Sequence, residues 1–263
     1  MSGVLRRFFL FKPPVSGVVL IEGEEYHHLK VLRLKKGDKI EFTDGQGHRY
    51  LAELVRLKKD RAEARIVKKE FTPPPELKIH LVVSLLKNKV MDLVIQKATE
   101  LGVWDIKVCL TAHAVPRVED RKCKVERWQR IALEALKQCG RDYLPAIDLA
   151  NFLDILKRAQ GLKLMAVGPR EWAETIPIYR AVKDTKETDI WLFIGPEGGF
   201  SPEEIKQANA FGFIPISFGP YILRAETAVL AGLSVIQAVK GEGIKGKSPY
   251  GEVHRENEQV NLA

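Results

Sequence analysis

The sequence predicts an α/β protein with two parts, a β-rich amino-terminal segment and a larger segment in which strands and helices alternate. Residues 1–72 show short runs of alternating polar and apolar residues, the period of strands with one buried face. The later residues alternate apolar strands with amphipathic helical stretches, which is typical of a mainly parallel sheet covered by helices. Between the two parts Thr72 precedes three prolines, which favour a stiff linker. We therefore predict domains at 1–72 and 73–240.

The first segment is predicted to form a small β-barrel with one short helix. Strand-like alternation appears in three places, and the Asp44–Gly45 pair indicates a turn. In the helical piece, Tyr26 and Leu29 fall on one face. The predicted elements are strands at 39–43, around 52–54 and at 62–66, a charged turn at 56–61 and a helix within 24–34.

The second segment is predicted to contain several βα units. Its most regular helix ends at Gly140, and another ends at Gly102, as expected for helix carboxyl termini. The predicted elements are strands at 77–86, 104–110 and 162–167, helices at 90–101, 124–139 and 152–159, and two βα units within 190–239. Residues 241–263 are polar and lack a period, so we predict a flexible tail.

Composition narrows the classes of function. Residues 1–72 carry 16 lysines and arginines against 10 acidic residues, so +6 of the net charge of +8 lies there. This asymmetry favours a module that binds a polyanion, and a solvated lysine-rich surface explains it equally well. No apolar run approaches the roughly 20 residues of a membrane helix. Three widely spaced cysteines are typical of a reducing cytoplasm, where we expect the protein.

The two βα units within 190–239 predict a ligand pocket. Each strand ends in a glycine turn that leads into a helix, and ligands of open α/β sheets bind where strands end at their carboxyl side. The turn at 195–199 lets a ligand approach the backbone and favours positive φ, which we expect at Gly198. Ser201, Pro202 and Glu204 predict a capped helix start. The turn does not match a phosphate-binding loop, and a simple βα turn is the alternative.

Several charged or titratable residues are candidates for chemistry. Arg224 and Glu226 are bracketed by apolar residues just after the second glycine turn, so they indicate either a site or a buried mutual pair. His27, His28 and His113 are candidate acid–base groups. No histidine has a second ligand at metal-binding spacing, so we predict no metal.

Several segments spread along the chain are distinctive when they occur together and in this order: Arg7–Phe9, His28–Arg33, Lys97–Gly102, Glu126–Trp128 with Glu134 and Gln138–Arg141, Ile194–Phe200 and Ile222–Ala228. In combination they resemble the RsmE family, SPOUT-class methyltransferases that methylate N3 of one uridine in small-subunit (16S) ribosomal RNA. The resemblance covers nearly the whole chain.

The resemblance implies a fold and a cofactor. The amino-terminal domain would be a PUA-like RNA-binding barrel, and the second would be a SPOUT domain with a carboxyl-terminal trefoil knot, an exception to the rule against threaded chains. The knot would bind S-adenosylmethionine. The implied cofactor-binding residues are Val167, Gly168, Gly195, Pro196, Glu197, Gly198, Phe218, Gly219, Ile222, Leu223, Thr227 and Ala228.

The resemblance also implies partners and roles. The substrate would be small-subunit ribosomal RNA or the assembled small subunit, and the protein would be a homodimer. The catalytic candidates for methyl transfer to uridine N3 are Arg224, to stabilise the uridine anion, and either Glu226 or Glu197, to accept the proton. Bases mixed with aromatic residues or leucines suit RNA binding, and a solvated barrel rim is the alternative. These candidate RNA-binding residues are Arg6, Arg7, His28, Lys30 and Arg33, and the resemblance adds Arg141. Tyr221 departs from the arginine of many members.

Two other functions fit the same sequence. One is a SPOUT methyltransferase that acts on another RNA position, since it would share every pocket residue. The other is an RNA-binding ribosome assembly factor without catalysis, which would need the basic domain and no intact pocket. The glycine turn at 195–198 and the segment 224–228 favour an enzyme over the assembly factor.

Overall fold

The amino-terminal residues form a five-stranded mixed sheet. The computed structural model describes residues 5–14, 16–114, 120–168 and 174–241. The strands are β1 (Arg6–Phe9), β2 (Val18–Ile21), β3 (Lys39–Thr43), β4 (His48–Leu57) and β5 (Ala62–Phe71), in the spatial order β1-β3-β4-β5-β2. The β1–β3 pair is parallel and the other pairs are antiparallel. Helix α1 (Gly23–Val31) buries Tyr26 and Leu29 against this sheet, as predicted.

The expected barrel is an open sheet in the described residues. Strands β1 and β2 form its two edges, and no pairing joins them in the ranges that the structure describes. Both strands escaped prediction because they are four residues long, and neither Arg-Arg-Phe-Phe nor Val-Val-Leu-Ile alternates in sequence. The predicted turn at 56–61 is shorter in the structure, since β4 continues to Leu57.

Within the described ranges, the second sheet has seven parallel strands. They are β6 (Lys78–Ser84), β7 (Asp105–Cys109), β8 (Ala146–Ala150), β9 (Leu162–Ala166), β10 (Ile176–Pro177), β11 (Asp189–Ile194) and β12 (Ile214–Ser217). Their spatial order is β10-β12-β9-β11-β6-β7-β8. Two clusters of buried apolar side chains cover the sheet, which places helices on both faces.

The helices of this segment follow the predicted pattern closely. They are α2 (Asn88–Glu100), α3 (Arg121–Cys139), α4 (Phe152–Arg158), α5 (Ile178–Lys183), α6 (Pro202–Ala210) and α7 (Ala225–Lys240). Gly140 ends α3 in the left-handed conformation, with φ of 81°. The prediction missed β8, β10 and α5. No helix in the described ranges is long and apolar enough to cross a membrane, and the predicted tail beyond Gly241 lies outside the described residues.

Asp142 joins the two sheets. Its carboxylate accepts hydrogen bonds from Arg7 Nη2 at 3.3 Å and from the Thr72 hydroxyl at 2.7 Å, and it lies 3.5 Å from Arg49 Nε. These three residues belong to the amino-terminal sheet or to its exit, whereas Asp142 follows α3. Because this side chain is 12% exposed, the contact is shielded from solvent and fixes how the sheets face each other.

Two residues expected to bind RNA are part of this internal contact. Arg7 is 8% exposed, and its guanidinium also donates to Glu41 at 2.5 Å and to the Arg141 carbonyl at 2.7 Å. The guanidinium of Arg141 donates to the carbonyls of Thr99 at 2.8 Å and Val103 at 2.7 Å. Both guanidinium groups therefore stabilise the internal contact, because their N–H groups donate to acceptors inside the protein.

Candidate functional site

A cleft opens where three neighbouring strands of the second sheet end. Ala166 at the end of β9 pairs in register with Ile194 of β11 and with Ile216 of β12, so the three strands end at nearly the same level. The loops that follow them border a small cleft that is open to solvent. This edge is where open α/β sheets bind ligands.

Most of the predicted cofactor residues border this cleft. Ten of the twelve do so: Val167, Gly168, Gly195, Pro196, Glu197, Phe218, Gly219, Ile222, Leu223 and Ala228. Gly198 and Thr227 do not. The lining also includes six residues outside the predicted set: Ala166, Ile194, Gly199, Ser217, Tyr221 and Ala225. Three of these are the last residues of strands, a position that the strand predictions could have indicated.

In the glycine turn after β11, the glycine with positive φ is not the one predicted. Gly199 has φ of 70°, whereas Gly198 does not have a positive φ, so the expectation for Gly198 was wrong. A Cβ at Gly195 would lie 3.0 Å from the Phe200 ring, so this glycine permits close packing beneath the cleft. The helix that follows begins as predicted, with Ser201 and Glu204 in a reciprocal capping box.

The loop after β7 is tied to this turn at two points. His113 Nδ1 lies 3.0 Å from the Gly198 carbonyl oxygen, and since a carbonyl only accepts, Nδ1 donates. The Ala112 amide donates to Glu204 at 2.8 Å. Below this loop, burial and the charge of Glu204 raise the pKa of the Cys109 thiol, which keeps it protonated and unreactive.

The charged residues at the start of α7 do not form the buried pair considered above. Arg224 is exposed and occupies the N-cap position, while Glu226 is half-buried in the first turn. No ion pair joins them in the described part of the chain. Arg224 is flanked by the lining residues Leu223 and Ala225, whereas Glu226 is not part of the lining.

The remaining predicted RNA-binding residues lie on the amino-terminal sheet and its helix. Arg6, Lys30 and Arg33 are exposed. Lys30 also donates to the Lys59 carbonyl at 3.2 Å. The half-buried His28 ring packs 5.2 Å from the Phe8 ring, so it contributes to the core of this segment. Within the described ranges, no group of three or more His, Cys, Asp or Glu side chains could hold a metal ion.

Family models match both parts of the chain. One for an RNA methyltransferase domain matches residues 73–237, and one for an RNA methyltransferase PUA domain matches residues 21–67. The ribosomal RNA small subunit methyltransferase E of Bacillus subtilis is 31% identical over 227 residues, covering 82% of this chain and 88% of that protein.

Solved structures agree with these matches. The methyltransferase E of Neisseria gonorrhoeae, bound to S-adenosylmethionine, superposes with a TM-score of 0.79 at 30% identity and covers 89% of this chain and 98% of that one. A Legionella pneumophila protein in complex with the same cofactor gives 0.75 at 31%, with the same coverage. By sequence and by fold, the chain belongs to the family of ribosomal RNA small subunit methyltransferases E.

Proposed function

We propose that the protein transfers the methyl group of S-adenosylmethionine to N3 of a specific uridine in small-subunit (16S) ribosomal RNA. The observation that carries the proposal is the cleft at the ends of β9, β11 and β12, in a chain of this family. The Neisseria relative was crystallised with this cofactor.

The walls of the cleft fit that cofactor. Apolar side chains such as Ile194 and Leu223 alternate with glycine backbone, which suits a ligand with both apolar and polar parts. The described lining contains one charged side chain, the exposed carboxylate of Glu197, and no lysine or arginine. This charge pattern favours a ligand with cationic groups and is unsuited to a phosphate.

When bound, the cofactor supplies a methyl group on a positively charged sulfur, which leaves as a neutral thioether. Uridine N3 carries a proton that must be removed before or during attack on this methyl group. We assign proton acceptance to Glu197, because Glu197 is among the residues that line the cleft and Glu226 is not.

Arg224 would stabilise the negative charge that develops on the uridine. Its guanidinium is exposed and its two chain neighbours line the cleft. It also occupies the N-cap position of a 16-residue helix, whose dipole adds positive potential at the same place.

The proposal also includes the division into domains, the knot, the oligomeric state and the cellular location. Residues 1–72 would be the RNA-binding domain and 73–240 the methyltransferase domain, and the loops around the cleft would form a trefoil knot. Family membership supports the knot and a homodimer, and sedimentation equilibrium of the full chain tests the latter. A ribosomal RNA substrate supports action in the cytoplasm, where that RNA is assembled into subunits.

The test uses the full chain, small ribosomal subunits that lack the methyl group and labelled S-adenosylmethionine. We expect calorimetric binding of the cofactor and transfer of label to a single uridine, located by nuclease digestion and mass spectrometry. Transfer to another nucleotide would contradict the assigned position. Absence of cofactor binding would contradict the enzymatic function and favour a non-catalytic assembly factor.

A further inference from the structure

The loop between β12 and α7 exposes two large side chains at the mouth of the cleft. Tyr221 is 81% exposed and Ile222 is 65% exposed, yet both line the cleft. Tyr221 has the largest exposed fraction among the exposed large hydrophobic side chains in the described ranges. Large apolar groups that remain this open beside a ligand cleft indicate a surface that another molecule covers.

This loop is anchored at its carboxyl end. Leu223 packs against the main core, and Ala225 is buried at the start of α7. At the other end Gly219 takes a φ of 118°, a conformation that other residues rarely adopt. The backbone two residues after Tyr221 is therefore held by the core, which keeps the ring at the mouth of the cleft.

The chemistry around Tyr221 fits an unpaired RNA base. An aromatic ring offers a flat face on which an unstacked base can stack, and exposed arginines bind phosphates. Arg224 lies three residues further on and is exposed, so a stacking surface and a cation stand together beside the proposed methyl donor site. A base held within a duplex could not bring its face to this ring.

We infer that Tyr221 is the stacking platform for the target base, so that the protein acts on a uridine that is unpaired or turned out of its helix. This inference rests on the proposed function and deepens it. The ring of Tyr221 covers one face of the base at the mouth of the cleft proposed to hold the cofactor. The hydroxyl group is not required for stacking, whereas the aromatic ring is.

Three full-length variants test the inference. Tyr221→Phe keeps the ring, Tyr221→Leu keeps apolar bulk without it, and Tyr179→Leu removes another exposed tyrosine that does not line the cleft. We expect Tyr221→Leu to raise KM for unmethylated small subunits about tenfold, within the range for loss of one stacked base. The other two variants should stay within about twofold of the wild type, and all three should bind the cofactor normally.

A binding measurement separates this inference from the proposed function. The affinity of each variant for a single-stranded oligouridylate, measured by fluorescence anisotropy, does not depend on methylation. Weakening by Tyr221→Leu alone supports stacking even if the wild type methylates no ribosomal RNA. Unchanged affinity and KM would overturn it. Loss of cofactor binding in Tyr221→Leu would also overturn the inference, because Tyr221 would then belong to the cofactor site. Conversion of a dimer to a monomer would overturn it as well, because Tyr221 would then be a subunit contact.

Discussion

At the scale of single residues, the proposed chemistry depends most on Arg224. We expect Arg224→Ala to lower single-turnover methylation about a hundredfold, equivalent to roughly 3 kcal/mol of transition-state stabilisation. Cofactor affinity and melting temperature should hardly change, because this side chain is exposed and does not line the cleft itself. Single-turnover rates, calorimetry and thermal melts measure the three quantities.

Glu226→Gln is the matched control for Arg224. It changes a charge two residues away that is not part of the cleft lining, so the rate should stay within about threefold of the wild type. If Arg224→Ala instead melts much lower and the double variant recovers both stability and rate, the two side chains form a structural pair and the catalytic role is wrong.

Gly199 gives a second prediction at this scale. Its φ of 70° makes Gly199→Ala strained, at a cost of roughly 1–2 kcal/mol, and relief of that strain would move the turn that borders the cleft. We expect at least about fivefold weaker cofactor binding by calorimetry. Gly37→Ala is the control, since Gly37 has φ of 91° in the amino-terminal segment and nothing within 4 Å of an added Cβ. Equal loss of cofactor affinity in both variants would contradict the prediction, because it would show that lower stability of the protein, and not the turn beside the cleft, weakens binding.

The sequence predicted the region of the cleft, but it did not predict which glycine of the turn has positive φ. The family resemblance implied Gly195, Pro196 and Leu223, and the strand ends and glycine turns visible as patterns predicted a pocket in the same region. Which of two adjacent glycines takes positive φ depends on the type of turn, because the bond from the Gly199 amide to the Pro196 carbonyl, 2.9 Å long here, closes type I and type II turns alike. That hydrogen bond has no signature in the sequence.

At the scale of elements, His80 links three strands at the edge opposite the cleft. On β6, its Nδ1 lies 3.0 Å from Asp105 of β7 and its Nε2 lies 3.1 Å from Asp189 of β11, while its ring stacks on Trp191 at 4.4 Å. Burial lowers the pKa of His80, but the hydrogen bonds and charges of the two aspartates outweigh it. The pKa is therefore raised above its usual value.

This raised pKa predicts how stability depends on pH. A group whose pKa is higher in the folded state stabilises the protein fully below its unfolded pKa, about 6.5 for histidine, and loses this effect as pH rises through the folded value. In urea unfolding from about pH 5.5 to about pH 8.5, the wild type should exceed His80→Gln most at the acid end. A difference that grows with pH would contradict a charged His80 between the aspartates.

Elements with a strong period were predicted and short ones at sheet edges were not. Helix α3 is 19 residues long with a regular apolar stripe, and β11 ends directly before the predicted glycine turn at 195–199. Strand β10 has two residues and exists because it pairs with β12 in the folded sheet. Since tertiary pairing creates such a strand, no local pattern reveals it.

At the scale of the whole molecule, the basic amino-terminal sheet should supply electrostatic affinity for RNA. Arg6, Lys30 and Arg33 are exposed there. Changing all three to glutamine should weaken RNA binding and make its dependence on salt shallower, by roughly 0.7–0.9 in the log–log slope for each phosphate that the variant no longer neutralises. Filter binding at several salt concentrations measures both effects.

The control removes equal charge from the other domain. Lys157, Lys186 and Lys206 are exposed there, and their replacement by glutamine should leave the slope nearly unchanged. Equal slopes for the two triple variants would mean that RNA affinity is spread over the surface, and the amino-terminal sheet would then lose its assigned role.

The arrangement of the two sheets could not be predicted from sequence. The charge excess of residues 1–72 fitted a polyanion-binding module and a solvated surface equally well, and charge does not distinguish a surface arginine from an internal one. Arg6 and Arg7 are neighbours, and β-strand geometry turns the first outward and the second toward Asp142. The role of Arg7 depends on the contact between the two sheets, which no local pattern in the sequence reveals.

The measurement that tests the central claim most directly is mass spectrometry of small-subunit ribosomal RNA from a strain that lacks the gene for this chain. We predict the loss of one uridine methylated at N3, restored by the wild-type gene and not by Arg224→Ala. An unchanged set of methylated nucleotides in the strain without the gene would contradict the proposed function.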